Sequence, residues 1–263
     1  MAVVPAWVQL FVDVPRAEWD AATRFWAQVT GCSLSPARGE DGQFVTLLPH
    51  TGPAWVKLQA VGGGGGVHLD LDGVDRDAAV ARALDLGGSV EGTYHDVVVM
   101  TSPGGFTFCQ TLLDPAEPRP RMVRGATAVL DQVCLDVPGG LWADEVAFWG
   151  ALTGRTVQPG LRPEFAFLGD GDPDGPVRIL LQRLDEDAGP VRGHPDLAVA
   201  DRRGQEARHT AAGAELLDRF DRWTVLRAPG GQVYCLTDRD PSTGQVRRGL
   251  PTAADAAEPG REG

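Results

Sequence analysis

"FWAQVTGCSLSP" (Phe25 to Pro36) and "FWGALTGRTVQP" (Phe148 to Pro159) are two versions of one segment. A second pair, "SPGGFTFC" (Ser102 to Cys109) and "APGGQVYC" (Ala228 to Cys235), lies further along each copy. Working outward, Gln9 matches Gln132, Asp13 matches Asp136, Trp26 matches Trp149 and Gln59 matches Gln182, each 123 residues apart. His68 then matches His194, Asp70 matches Asp196, Asp75 matches Asp201 and Cys109 matches Cys235, each 126 apart. A net insertion of three residues between Gln182 and His194 accounts for the step (126 − 123). So long a period is the duplication of a whole domain, not a solenoid of short repeats. Side chains kept in both copies therefore stand out within a single chain.

At 263 residues the chain has room for two domains, each with its own core. Copy one is read as residues 1–113 and copy two as 127–240. The Pro- and Arg-rich stretch 114–126 reads as a linker. Residues 241–263 are small, polar and rich in Pro and Gly, and are expected to form a disordered tail. In copy one "WVQLFVDV" alternates and predicts a strand. "RAEWDAATRFWAQVTG" predicts a helix with Trp19, Ala22, Trp26 and Val29 on one stripe and Gly31 at its end. Two strands follow, "QFVTLLP" and "AWVKLQAV". "VHLDLDG" opens a second unit, with a helix capped by Asp75 or Asp77 and three more strands. The plan is strand–helix–three strands, performed twice per copy. Copy two repeats it with a weaker second helix containing Gly204. The run "GGGGG" (Gly62 to Gly66) is a flexible connection, because a strand and not a helix follows it.

Hydrophobic content of 43% and charged content of 23% are those of a soluble globular protein. A net charge of −12 argues against nucleic acid or an anionic membrane as partner. No run approaches about 18 apolar residues, and the first residues lack a basic region. A cytoplasmic protein is expected, with Cys32, Cys109, Cys134 and Cys235 as free thiols. Its expected partner is a small molecule, and its expected state a monomer of two pseudo-equivalent domains or a homodimer.

These segments together resemble the vicinal oxygen chelate superfamily, which includes glyoxalase I, bleomycin-resistance proteins and extradiol dioxygenases. The carriers are "VQLFVDVP" and "DQVCLDVPG", the "FW…TG" helix ends, "VHLDLDGVD" and "HPDLAVAD", and the two "PGG" segments. The resemblance runs from Trp7 to about Thr237. It implies an α+β fold of two tandem glyoxalase-like domains. Each is built of two βαβββ units forming a cupped mixed sheet, with helices on the outer face. It also implies four inward strand positions per copy: Gln9, Gln59, His68 and Cys109, then Gln132, Gln182, His194 and Cys235. The side chains kept through the repeat are thus those the family places at its site.

Strand alternation agrees, since Gln9, Phe11 and Asp13 share one face, as do His68, Asp70 and Asp72. Donor chemistry does not favour the metal that the resemblance implies. Two positions expected to carry carboxylates hold glutamine and cysteine, and hard ions want charged oxygen. Zn²⁺ would accept His and Cys but would need a further strong ligand, which Asp70 or Asp196 would supply. The candidate metal ligands are His68, Cys109, His194 and Cys235, with a divalent metal disfavoured and no cofactor named. Cys109 and Cys235 read first as small apolar fillers.

Trp19, Trp26, Trp142 and Trp149 occupy matching helix positions and read as core. Trp55 and Trp223 have no aromatic counterpart, and either beside a cavity would stack a planar ligand. His95 and His209 also lack counterparts and are expected in solvated positions. No motif of nucleophilic hydrolase chemistry is present. The first expectation is a small-molecule-binding protein of the glyoxalase/bleomycin-resistance type, holding an apolar or aromatic metabolite or antibiotic. The alternative is a lyase, isomerase or dioxygenase of the superfamily using His68 or His194 as metal ligand or general base. The pocket residues expected are Gln9, Phe11, Gln59, Asp70, Cys109, Gln132, Gln182, Asp196, Trp223 and Cys235. A third expectation is that copy two, where Pro195 removes a strand donor, has decayed into a scaffold.

Overall fold

Alternation along each strand separates a polar face from an apolar one, and two sheets are built on that division. The computed structural model describes residues 4–113, 123, 125, 127–160, 162–169, 175 and 177–247. The first domain contains β1 (Trp7–Pro15), α1 (Trp19–Thr30), β2 (Ser33–Leu34), β3 (Phe44–Leu48), β4 (Val56–Val61) and β5 (Gly66–Gly73). It continues with α2 (Arg76–Asp85), β6 (Ser89–Tyr94), β7 (Val97–Thr101) and β8 (Thr107–Leu112). The second contains β9 (Ala128–Val137), α3 (Trp142–Thr153), β10 (Thr156–Pro159), β11 (Phe165–Gly169), β12 (Arg178–Arg183) and β13 (Arg192–Val199). It ends with α4 (Arg202–Ala211), β14 (Glu215–Arg219), β15 (Trp223–Arg227) and β16 (Val233–Thr237).

Each domain forms one eight-stranded mixed sheet, ordered β2-β3-β4-β1-β5-β8-β7-β6 and β10-β11-β12-β9-β13-β16-β15-β14. Within each unit the first strand runs parallel to the last. The two units of a domain join through the antiparallel pairs β1–β5 and β9–β13. The helices end as the glycines require: Gly31 (φ 69°) and Gly154 (φ 67°) take the left-handed conformation that closes α1 and α3. Asp75 and Asp201 cap α2 and α4, each accepting an N–H at 3.0 Å. Gly204 supplies the capped N–H of α4, and that helix has the same ten residues as α2.

The apolar faces of the two sheets turn toward each other, with the first helix of each domain between them. Phe25 and Trp26 of α1 meet Tyr234 of β16, at 6.0 and 5.2 Å between centroids. Reciprocally, Phe148 and Trp149 of α3 meet Phe108 of β8, at 5.8 and 5.4 Å. Each domain therefore completes the other's core, and one continuous apolar cluster spans both. Polar contacts fix the arrangement. The Gly104 N–H donates to the Glu145 carboxylate at 2.6 Å, and Gln232 Nε2 donates to the Asp13 carbonyl at 2.8 Å. Gly65, in the glycine run, lies at this boundary, where a Cβ would come within 2.6 Å of the Gln232 amide nitrogen.

Three expectations change. His209 is fully buried rather than solvated, with Nδ1 2.9 Å from the Tyr234 hydroxyl. Burial, with Arg208 adding, lowers its pKa to about 4 and keeps it neutral. Trp55 is at the domain boundary, where its indole N–H donates to the Leu130 carbonyl at 2.8 Å and its ring lines a cavity of about 320 Å³. Residues 241–247, expected to be disordered, fold back on the second domain. Arg239 bridges to Val246, and Arg247 donates to the carbonyls of Val199 and Ala200 at 2.6 Å each. The rest of that tail, 248–263, and most of the linker (114–122, 124 and 126) lie outside the described residues. No described helix is long and apolar enough to cross a membrane.

Candidate functional site

The polar faces of the two sheets point away from the shared core and form two cups. In the first, the antiparallel register sets Phe11 opposite His68 and Gln9 opposite Asp70. The parallel registers add Lys57 beside Phe11, Gln59 beside Asp13, and Cys109 beside Asp70. In the second, Cys134 stands opposite His194 and Gln132 opposite Asp196, with Leu180 beside Cys134, Gln182 beside Asp136, and Cys235 beside Asp196. The predicted pocket residues Gln9, Phe11, Gln59, Asp70, Cys109, Gln132, Gln182, Asp196 and Cys235 thus share a cup face with His68 or His194. Trp223, opposite Thr237 on β15, lies on the cup face as well.

Each cup has a histidine held between two carboxylates, buried in the first and part-buried in the second. His68 Nδ1 is 2.9 Å from Asp13, and Nε2 is 3.9 Å from Asp70. His194 Nδ1 is 3.0 Å from Asp136, and Nε2 is 3.4 Å from Asp196. Burial opposes the charged imidazole of His68, but the hydrogen bond and charge of Asp13 outweigh it and raise the pKa. His194 is raised further, again against burial, by the neighbouring thiols Cys134 and Cys235 and by Asp136. Burial raises Asp70 and Asp196, with their histidines opposing. The glutamines finish this network. Gln9 donates to Asp72 at 2.6 Å, and Gln132 donates to Asp196 at 2.5 Å. The Thr111 hydroxyl also donates to Asp72.

The two floors differ beside the histidine. Phe11 stacks on the His68 imidazole at 4.6 Å and 17°. Cys134 takes that position in the second cup, where its thiol donates to Gln182 at 3.8 Å. Burial pushes the Cys134 thiol up to about 12 and the Cys235 thiol up to about 11. Burial raises Cys109 further still, with Asp70 adding.

Donor atoms converge in three sets: His68, Asp70 and Cys109; Cys134, Asp136 and His194; and His194, Asp196 and Cys235. The four-residue sets implied by the resemblance do not assemble as such, since Gln9 and Gln132 turn their amides to carboxylates. A hard, oxygen-loving ion does not fit the first cup, where one carboxylate, one thiol and one imidazole share the floor with the Lys57 ammonium. The second cup offers two separate three-residue sets that share His194, each with one thiol and one carboxylate, and such a set suits a thiophilic ion such as Zn²⁺ better than a hard one.

The mouths differ more. In the second cup Phe165 of β11 meets the edge of Trp223 of β15 at 5.9 Å, although five strand positions separate them. Phe220 stacks on Trp223 at 4.7 Å and 16°, and Arg162 lies 5.1 Å from the indole. The sheet curls until its two halves touch through aromatic rings. Across the first cup the corresponding contact is polar, from Gln43 Nε2 to the Tyr94 hydroxyl at 3.5 Å.

Asp13 and Asp136 partner the histidines but were not among the predicted site residues. Their signal was present, since both survive the repeat and share the face of Gln9 and Gln132. Phe220 and Cys134 gave no comparable signal, because each differs from its counterpart, whereas Phe165 matches Phe44 across the repeat. The Arg239–Asp131 ion pair (2.6 Å) is similarly private to copy two. It sits where Asp131 is the residue skipped in the β9–β13 register, a bulge one residue beyond Asp196.

Two cupped sheets, each of paired βαβββ units with a His–carboxylate floor, define a tandem vicinal-oxygen-chelate protein. The glyoxalase-like domain family matches residues 9–111 and again 132–237, and the chain belongs to that family. A Mn(II)-bound glyoxalase from Novosphingobium aromaticivorans superposes with a TM-score of 0.64 at 19% identity, covering 95% of this chain and 89% of that one. The 2,2',3-trihydroxybiphenyl 1,2-dioxygenase of Sphingomonas wittichii gives 0.61 at 15% identity, covering 96% and 98%. At these identities the likeness is one of fold. No curated protein sequence matches the chain.

Proposed function

We propose that the chain is a small-molecule-binding protein whose second cup holds an apolar or planar aromatic compound. The observation that carries this is the Phe165–Trp223–Phe220 cluster closing the cup above a polar floor. Aromatic walls supply stacking area at low entropic cost, while His194, Asp196 and Gln132 supply directional contacts for a few polar groups. Tryptophan quenching by a panel of aromatic compounds tests the reading, with Trp223→Phe separating its signal from the other six indoles. Saturable quenching that disappears in Trp223→Phe is the expected result. Quenching unchanged in that variant, or absent across the panel, overturns it.

A second reading, a lyase, isomerase or dioxygenase, is favoured by one observation: His194 belongs to two converging donor sets. Carboxylates that raise the pKa of His194 favour its protonated form, which favours a role as metal ligand in competition with that proton over a role as general base. Elemental analysis of protein purified without chelator decides it. One equivalent of a thiophilic ion supports the reading, and an ion-free protein that takes none up from added Zn²⁺ removes it.

A further inference from the structure

Lys57 is the only lysine in 263 residues; the other 23 of the 24 basic side chains are arginine (24 − 1). It lies not on the surface but on the cup face of β4, half-buried, in register with Phe11. Its Nζ is 5.1 Å from the centroid of the Phe11 ring. It makes no hydrogen bond or ion pair with any other described residue. The equivalent position in copy two, 123 residues on, is Leu180.

A chain that supplies every other cation as arginine departs from that habit at one place, inside a cup. Arginine would serve there if only positive charge were needed, since its guanidinium never deprotonates in proteins. An amine differs in that it can lose its proton and become a nucleophile. We propose that Lys57 is a reactive amine that captures a small aldehyde or ketone as an imine in the first cup.

The surroundings suit that chemistry. Burial lowers the amine pKa; the charges of Asp70 and Asp72 oppose this, and that of Arg38 reinforces it. Of the other titratable groups on this floor, His68 and Asp13 pair with each other, and burial raises the Cys109 thiol. In the reaction the nitrogen lone pair attacks the carbonyl carbon, a C–N bond forms, and the nitrogen loses a proton as the oxygen gains one. The carbinolamine then loses its oxygen as water and becomes the imine, with no change of oxidation state. The His68–Asp70 pair lies on the same floor and provides groups able to exchange those protons. This inference does not rest on the aromatic-ligand reading, which concerns the other cup and has a different readout.

The test is reductive trapping. The full chain is incubated with propionaldehyde and sodium cyanoborohydride across pH 6 to 10, and the alkylated peptides are quantified by mass spectrometry. The α-amino group and free Nα-acetyl-lysine are the references. Expected is alkylation of Lys57 at pH 7 severalfold faster than of Nα-acetyl-lysine, since a lowered pKa raises the free-amine fraction. Its half-maximal pH should lie below that of the reference, and Lys57→Arg should lose the label. Alkylation of Lys57 no faster than the reference, or with the reference's pH profile, overturns the proposal. Because that comparison uses the wild-type chain, it decides the matter even if Lys57→Arg fails to fold.

Discussion

The two cups share a backbone plan and a His–carboxylate floor, yet they have been furnished differently. The first carries Phe11 stacked on its histidine, Lys57 on its wall and a Gln43–Tyr94 contact across its mouth. The second carries Cys134 beside its histidine, Leu180 on its wall and an aromatic cluster across its mouth. What the duplication kept is therefore the buried polar network, which is costly to leave half-satisfied. What it changed is the lining that a ligand would touch. The difference lies in the lining of the cups and not in the loss of either floor. Copy two keeps its strand β13 despite Pro195, which stays in register opposite Val133.

The core offers the largest way to break the comparison. Trp26 and Trp149 are both fully buried in reciprocal positions. Trp26→Ala and Trp149→Ala should each cost about 3–5 kcal/mol in urea unfolding. A cost confined to one of them would contradict a shared core. The milder changes should separate the domains. The Trp149 indole N–H donates to the buried Glu145 carboxylate at 2.8 Å, whereas that of Trp26 has no partner among the described residues. Trp149→Phe should therefore exceed Trp26→Phe by about 1–3 kcal/mol, the cost of leaving a buried acceptor short of a donor.

Metal affinity should divide the cups next. Zn²⁺ added to metal-free protein at a hundredfold excess over its dissociation constant should stabilise the fold by about 2.7 kcal/mol. Cys134→Phe, which installs the residue of the first cup, should abolish most of that gain in thermal melts. An equal response in the variant would dissociate the ion from the second cup.

The smallest expected effect is on pH dependence. His68 and His194 have folded-state pKa values raised above the ordinary 6.5, so their stabilisation is complete below that value. It is lost as pH rises through the raised values. Asp70 and Asp196, also raised, act with the same sign, because their ionised forms are the disfavoured ones in the fold. Melting temperature should fall as pH rises above 6.5, and His194→Asn should flatten that slope more than His68→Asn. Parallel slopes in both variants would show that the networks do not titrate as their geometry requires.

The fold and the floor were legible in the sequence because a repeat repeats its constraints. Strand alternation put Gln9, Phe11 and Asp70 on one face, and the kept pairs and the family resemblance marked the glutamines, the cysteines and both histidines. The mouths were not legible, because Phe165 and Trp223 are distant in sequence and meet only when the sheet curls. Trp55 shows the same limit from the other side, since nothing local distinguishes an indole at a cup from one at a domain boundary. His209 was read as solvated because the helix pattern could not reveal that Tyr234 and α1 of the other domain would cover it. The folded-back segment 241–247 looked disordered from composition alone, while its arginines find backbone carbonyls that only the folded domain presents.

The central claim, that one cup is built for an aromatic ligand and the other is not, meets its most direct test in binding stoichiometry. Calorimetric titration with a quenching compound should give one site per chain. Trp223→Ala should weaken that site by about 1–3 kcal/mol, or roughly fivefold to 150-fold, while Phe44→Ala, at the equivalent wall of the first cup, should leave it unchanged. Two equal sites per chain, or a single site indifferent to Trp223→Ala, would contradict the account.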